Sequence, residues 1–215
     1  MITRPEYTLT RQKRKTIAMY VRENGLEVRA PLRVSKAEID SFVESKRTWI
    51  ERALAAQAQR TGKKSAFELD YGSRLLYCGR EYAVGEFGVP PGLAPEGIKC
   101  ACVAIYRQRA KRDLTVKVQR YAALMGVQPA GVKISGAKTR WGSCSSKKSL
   151  NFSWRLVMAE EDVIDYVVVH ELAHIKQMNH SPDFWAIVQN IMPDYKVRRQ
   201  QLKTLQKRLE NEDWE

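Results

Sequence analysis

All three histidines of this 215-residue chain lie between positions 170 and 180. His170 and His174 are four residues apart, and on a helix this spacing places two side chains on one face, one turn apart. Their imidazoles can therefore bind one metal ion, with the acidic Glu171 beside the first of them. This H-E-x-x-H arrangement is typical of zinc-dependent hydrolases, in which the glutamate acts as the general base.

The remaining histidine, His180, is the candidate third ligand. It directly precedes Ser181-Pro182-Asp183, which predicts a helix start because serine caps helices and proline fits the first helical position. A chain reversal at this junction can bring His180 back over the first helix. Three neutral imidazoles leave the fourth position of a tetrahedral Zn²⁺ for water, as a catalytic site requires. The sequence therefore predicts a zinc centre of all three histidines, with Glu171 as the base.

Residues outside the motif are candidates for contacts with the substrate. The predicted substrate-binding residues are Arg140, Trp141 and Tyr195. Two of them, Arg140 and Tyr195, are also candidate donors to an oxyanion, as is Tyr166. Cys144 offers a competing nucleophilic mechanism, but it would need a histidine base, and every histidine already belongs to the cluster.

The net charge of +13 is unevenly distributed along the chain. Residues 1–64 carry 15 Lys and Arg against 7 Asp and Glu, and residues 107–148 carry 11 against 1. These basic segments favour an anionic partner such as nucleic acid, a nucleotide or an acidic polypeptide, or they form a solvated surface. No apolar run is long enough to cross a membrane, and the basic N-terminus lacks the apolar stretch of a secretory signal. A cytoplasmic protein is expected.

The four cysteines are expected to be reduced thiols, because their spacing forms no disulfide framework. Cys100 and Cys102 lie in an apolar run that we interpret as a strand, Ile98 to Tyr106, rather than a second metal site. Upstream, Asn24-Gly25 predicts a hairpin and a capping box at Ser35 predicts a helix over 36–59. A second hairpin is predicted to turn near Gly79.

The C-terminal half is predicted to hold the metal centre. A helix is expected over 107–125, and strands over 132–135, 138–142 and 150–157 precede the helix of the H-E-x-x-H motif. An edge strand beside the metal could pair with an extended substrate backbone. Two further helices should follow. The sequence thus predicts an α+β protein with a β-rich region over 1–106 and a small zincin-like hydrolase module over 107–215.

Several motifs together resemble the YgjP-like metallopeptidase family. They are Trp141-Gly142-Ser143-Cys144, Asn151, Asp165 to His174, Asn179-His180-Ser181 and Phe184-Trp185. The resemblance is close over 131–205 and extends along the whole chain. It implies a zinc-dependent hydrolase with a minimal zincin core, similar to SprT-like proteases, in which the three histidines are ligands and Glu171 is the base.

The substrate is left open by this resemblance. SprT-like proteases act on DNA-bound proteins, whereas some YgjP-like proteins are associated with hydrolysis of nucleoside triphosphates such as UTP. We therefore expect a metallopeptidase acting on polypeptide, with two alternatives. One is a metal-dependent nucleoside triphosphate pyrophosphohydrolase, and the other is a nucleic-acid-binding protein with a non-catalytic zinc.

Overall fold

The computed structural model describes residues 5–22, 24–65 and 67–214, and in this part the chain forms small β-sheets and six α-helices. It divides into two compact units. The first comprises the described residues up to Phe67 together with Glu210–Asp213, and the second comprises Glu68–Leu209 with the C-terminal end from Trp214. The boundary predicted between residues 106 and 107 falls instead inside a continuous helix, so the division lies near residue 67.

The first unit is a three-stranded sheet covered by two helices. Its strands are β1 (Tyr7–Gln12), β2 (Ala18–Arg22) and β3 (Gly25–Pro31), in the order β1-β3-β2, with β1 parallel and β2 antiparallel to β3. Alternate residues of β3 are buried against helices α1 (Lys36–Ser45) and α2 (Arg47–Ser65). This alternation is what a sheet with one face in a core requires.

Local signals in the first unit are confirmed, but one helix is divided. The hairpin turns at Asn24 as predicted, and Ser35 and Glu38 form both hydrogen bonds of a capping box. The single helix predicted over 36–59 is instead two, because Lys46 leaves helical geometry with φ −112° and ψ 12°. The second of these helices also continues beyond the predicted end, to Ser65.

The second unit contains the remaining elements and the residues of the motif. In chain order they are β4 (Arg74–Tyr77), β5 (Arg80–Ala83), α3 (Pro95–Met125), β6 (Gly131–Ser135), β7 (Gly142–Cys144), β8 (Ser149–Ser153), a 3₁₀ turn (Trp154–Met158), α4 (Glu161–Ala173), α5 (Pro182–Ile191) and α6 (Tyr195–Leu209). The first two strands form the hairpin predicted near Gly79.

The long helix α3 corrects the strand predicted from Ile98 to Tyr106. Pro95 occupies its first turn, and Ile98, Cys102 and Tyr106 are buried at a spacing of four residues. This spacing continues to the end of the helix and forms one apolar stripe, whereas an alternating strand would bury every second residue. The predicted helix over 107–125 is therefore the second half of a longer one.

The sheet next to the motif has the order β6-β8-β7, which leaves β7 at an edge. The strand predicted over 138–142 is wrong, because residues 136–141 form a loop and the strand begins at Gly142. The strand predicted over 150–157 ends at Ser153, where the chain turns into the 3₁₀ segment and buries Trp154. None of the described helices is long and apolar enough to cross a membrane.

Candidate active site

Helix α4 brings the three histidines together at its C-terminal end. Its residues Val163 to Val169 are mostly buried, and His170 occupies its last turn while His174 is its C-cap. The candidate ligand atoms of His170, His174 and His180 all lie within 4.8 Å of one another. Nε2 of His170 lies 3.1 Å from Nε2 of His180. The cluster predicted from the spacing is therefore present in the folded chain.

Hydrogen bonds in the connection to α5 orient the ring of His174 and hold the turn that follows it. Nδ1 of His174 donates to the carbonyl oxygen of Gln177 at 3.2 Å, which leaves Nε2 of that ring as the lone-pair atom. The side-chain amide of Gln177 donates to Oγ of Ser181, and Ser181 caps α5 by accepting from the backbone of Phe184. These bonds fix the chain reversal that brings His180 to the end of α4.

The side chain of Phe184 forms a common floor beneath the cluster. Its ring is fully buried and lies 4.9, 4.5 and 4.8 Å, centroid to centroid, from the rings of His170, His174 and His180. The ring of Trp185 stacks on that of His180, with the centroids 5.7 Å apart and the planes tilted by 25°. Aromatic packing therefore holds the imidazoles where few hydrogen bonds are available.

The cluster has the donor chemistry of a zinc site. Burial, followed by the charges of His174, His180 and Arg199, lowers the pKa of His170 to about 3, and burial also lowers the pKa of His174. At neutral pH both imidazoles are uncharged and able to bind a metal. Tetrahedral Zn²⁺ with bonds of about 2.0–2.1 Å separates two ligand nitrogens by roughly 3.3–3.4 Å. The spacing of the cluster therefore fits this ion.

Glu171 lies in a protected position beside the histidines. Its side chain is 6% exposed, and in the described part of the chain its carboxylate makes no hydrogen bond or ion pair. Burial raises the pKa of Glu171 to about 7, and the charge of Arg140 opposes this rise. A buried carboxyl without a protein partner is costly unless something else occupies the space next to it. This group is therefore available to a water molecule or a substrate.

Without metal, the free energy of unfolding should depend on the ionisation of Glu171. Its pKa is about 7 in the folded protein against an ordinary 4.5, so the stabilisation is full below pH 4.5 and is lost as the pH rises through 7. Relative to the Glu171→Gln variant, the wild-type protein should lose about 3 kcal/mol over this interval. Urea unfolding of both metal-free proteins at a series of pH values measures the difference. A difference that does not change with pH would contradict the burial of this carboxyl.

Gly142 allows strand β7 to approach Glu171 closely. A Cβ atom at this position would lie 2.6 Å from both Cγ and Oε1 of Glu171. Such contacts are too short, so any larger residue would displace the carboxylate. Glycine within a strand often marks a close approach of this kind.

Gly142→Ala should therefore lower the hydrolytic rate by roughly 100-fold, because a shift of about 1 Å in a catalytic group has an effect of that order. Metal affinity should stay near that of the wild type, since the histidines are not touched. Gly131→Ala in β6 is the matched control, because nothing lies within 4 Å of a Cβ there. Kinetic assays and metal titration of both variants distinguish the effects. Equal rates for the two variants would contradict the role given to Gly142.

The edge strand β7 presents main-chain groups beside Glu171. The carbonyl of Trp141 accepts from Ser153, and the amide of Ser145 donates to Ser149, so these positions face β8. In an antiparallel pair the intervening residues point the other way. The main-chain groups of Gly142 and Cys144 therefore face away from β8, where no described strand pairs with them.

The predicted substrate residues occupy different positions around the cluster. Arg140 is exposed, and its charge acts on Glu171. Trp141 is half-buried and contributes a backbone hydrogen bond to the sheet. Tyr195 is buried and stacks on Trp185 at 5.2 Å. Trp185 in turn stacks on His180, so Tyr195 reaches the cluster only through the ring of Trp185. Tyr166 lies edge-on to His170 at 5.9 Å, and burial raises its pKa.

The thiols do not support cysteine chemistry at this site. Burial, followed by the charge of Glu171, raises the pKa of Cys144, which disfavours the reactive thiolate. Cys100 is exposed and Cys102 is buried on α3, and the histidine cluster is the one metal-ligating group found among the described residues. All four cysteines are free thiols, as predicted.

An H-E-x-x-H helix end with a third histidine from the next connection is the arrangement of a metal-dependent hydrolase. The chain belongs to the YgjP-like family, whose metallopeptidase domain model matches residues 15–85 and 85–205. The family predicted from the sequence motifs is thereby confirmed. No curated protein matches the chain at a significant level.

Two solved structures of metallopeptidase zymogens are similar to part of the chain. Abylysin of Pyrococcus abyssi is 24% identical, with a TM-score of 0.40 over 42% of this chain and 92% of that protein. Jannalysin of Methanocaldococcus jannaschii is 26% identical, with a TM-score of 0.39 over 44% of this chain and 96% of that protein.

Proposed function

We propose that the protein is a zinc-dependent peptidase in which His170, His174 and His180 hold the metal. The observation that carries this proposal is the unpartnered, buried carboxylate of Glu171, which lies between the histidine cluster and an edge strand. When bound, Zn²⁺ lowers the pKa of water and polarises the carbonyl group that is attacked.

The residues of the chain then supply proton transfer and positioning. Glu171 takes a proton from the attacking water and passes it to the leaving amine. A raised pKa suits this exchange, because a group that titrates near the working pH can both accept and return a proton. The free main-chain groups of Gly142 and Cys144 can bind an extended polypeptide as an added strand. Phe184 and Trp185 keep the ligands in place and exclude water from one side.

A nucleotide substrate would need several cations converging on the metal. The candidates are Lys138, Arg140, Lys147 and Lys148, of which Arg140 is the one whose charge acts on Glu171 in the described part of the chain. The side chains of both lysines at 147 and 148 are exposed in the turn between β7 and β8. The edge of β7, with which no described strand pairs, favours a polypeptide over a nucleotide.

A nucleic-acid partner, predicted from segments 1–64 and 107–148, stays a prediction. Several cations of α3 already have partners within the protein: Lys111 donates to the carbonyl of Val132, Arg112 pairs with Asp113, and Lys117 pairs with Asp165. Fewer positive charges on this helix are therefore available for phosphates than its sequence indicates.

The test is a side-by-side assay of the zinc-loaded protein on an unfolded protein, a protein–DNA mixture and nucleoside triphosphates. We expect cleavage of the unfolded protein and no metal-dependent release of phosphate or pyrophosphate. Hydrolysis of triphosphates without any peptide cleavage would overturn the proposal in favour of the nucleotide alternative. Absence of hydrolysis, combined with salt-sensitive DNA binding, would favour the binding protein.

A further inference from the structure

Two arginines next to the histidine cluster lack a carboxylate partner in the described part of the chain. They are Arg140, in the loop before β7, and Arg199, in the second turn of α6. Neither makes a hydrogen bond or ion pair with a described residue, although the neighbouring Arg198 pairs with Asp162 and Asp194 at 2.5 and 2.6 Å. Both side chains are exposed, so their N–H groups are accessible to an anion from outside the protein.

Arg199 is held close to the metal ligands by aromatic packing. Its guanidinium carbon lies 5.3 Å from the ring centre of Trp185, and the same ring stacks on His180. Tyr195, one turn earlier on α6, packs against Trp185 as well. A guanidinium over an aromatic ring is stabilised by the cation–π interaction while its N–H groups remain able to donate. Arg199 is therefore positioned in advance for a planar anion.

Arg140 places a second positive charge on the side of the base. It precedes Gly142 by two residues, and a Cβ at Gly142 would contact Glu171, so the loop of Arg140 passes close to the carboxylate. Two side-chain hydrogen bonds hold this loop in place. The hydroxyl of Ser153 donates to the carbonyl of Ala137 at 2.7 Å, and the guanidinium of Arg155 donates to the carbonyl of Gly136 at 2.9 Å. The charge of Arg140 acts on Glu171 and that of Arg199 acts on His170, so both arginines make the site attractive to anions.

We propose that Arg199, assisted by Arg140, binds a carboxylate of the polypeptide substrate next to the cleaved bond, and so determines specificity. This inference rests on the proposed peptidase function. The carboxylate comes from an acidic side chain or from the C-terminus of the substrate, because these are the planar anions that an unmodified polypeptide offers. Arginine binds this group through two parallel N–H···O bonds.

The test compares cleavage of three peptides by the zinc-loaded full-length protein. All share a sequence that the protein cleaves: one is neutral with an amidated C-terminus, one carries Glu near the cleaved bond, and one ends in a free carboxylate close to that bond. We expect kcat/KM for an acidic peptide to exceed that for the neutral one by about tenfold, which one charge-assisted contact supplies. Whichever acidic peptide is preferred identifies the source of the carboxylate.

Variants show whether Arg199 is the cause. The ratio of acidic to neutral kcat/KM should fall to about one in Arg199→Gln, recover in part in Arg199→Lys, and stay at the wild-type value in Lys203→Ala, an exposed control on the same helix. Equal cleavage of all peptides by the wild type, or a preference that persists in Arg199→Gln, would overturn the role given to Arg199. Neither result would contradict the peptidase function. Failure to cleave any site in the unfolded protein from which these peptides are taken would overturn the peptidase proposal as well.

Discussion

Replacement of Glu171 by Gln is expected to reduce peptide hydrolysis by a factor of about 10² to 10⁴, the usual contribution of a general base. Glutamine has nearly the same size, so it fits the buried space next to Gly142 without the contacts that a larger residue would make. Its amide cannot accept a proton from the attacking water. Zinc affinity should remain, because the three proposed ligands are histidines.

Kinetic measurements on zinc-loaded Glu171→Gln, together with its zinc content, check this expectation. Glu96→Gln is the matched control, since Glu96 is an exposed acid in the first turn of α3. We expect the control to keep the wild-type rate. Unchanged turnover in Glu171→Gln would exclude this residue as the base, and loss of zinc from the variant would instead indicate that Glu171 acts as a ligand.

Replacement of His180 by Ala is expected to weaken zinc binding by more than about 100-fold and to remove activity at limiting metal. Changes to groups that only support a ligand cost about 10- to 100-fold, so loss of a direct ligand should cost more. His180 is the proposed ligand to change, because its side chain is exposed. The side chains of His170 and His174 are largely buried and pack against Phe184. Their removal would also disturb the packing of α4 and α5.

Competition with a chromogenic chelator measures the affinity of His180→Ala, and thermal unfolding without metal shows whether the fold is intact. Met178→Ala is the control from the same connection, since its side chain is 55% exposed. We expect the control to bind zinc as the wild type does. If His180→Ala bound zinc as tightly as the wild type, two histidines would be enough to hold the metal. This result would contradict the three-ligand centre.

The local parts of the fold could be predicted from the sequence because short-range interactions determine them. A capping box needs only Ser35 and Glu38, and the hairpin needs only the turn at Asn24-Gly25. The start of α5 was equally predictable, since Ser181 caps the helix and Pro182 occupies its first turn. In each case the signal and the structure lie within a few residues of each other.

The N-terminal part of α3 was mispredicted because its residues fit two periods. Cys100 and Cys102 alternate with apolar neighbours as in a strand, yet Ile98, Cys102 and Tyr106 also recur at helical spacing. Tertiary packing decides between them: Tyr106 stacks against Trp154 at 5.3 Å and donates to the carbonyl of Leu76. Neither partner is close in sequence, so the pattern within this stretch could not reveal them.

The candidate site was predictable in its ligands but not in their surroundings. Helical spacing alone places His170 and His174 on one face, and His180 is only six residues further along the chain. The structure brings all three together. Phe184 was singled out from the sequence as part of the Phe184-Trp185 motif, not as the floor of the cluster. The contact of Gly142 with Glu171 depends on β7 meeting α4, and a glycine inside a strand was its single local signal.

The most direct test of the zinc peptidase is the titration of metal-stripped protein with Zn²⁺ while cleavage of an unfolded protein is measured. We predict no cleavage without metal, a rate that rises in proportion to added zinc, and saturation at one zinc ion per chain. At the same zinc content, Glu171→Gln should regain about 10² to 10⁴-fold less activity than the wild type. Cleavage that is independent of zinc, or stoichiometric zinc binding with no cleavage of any polypeptide, would contradict the account.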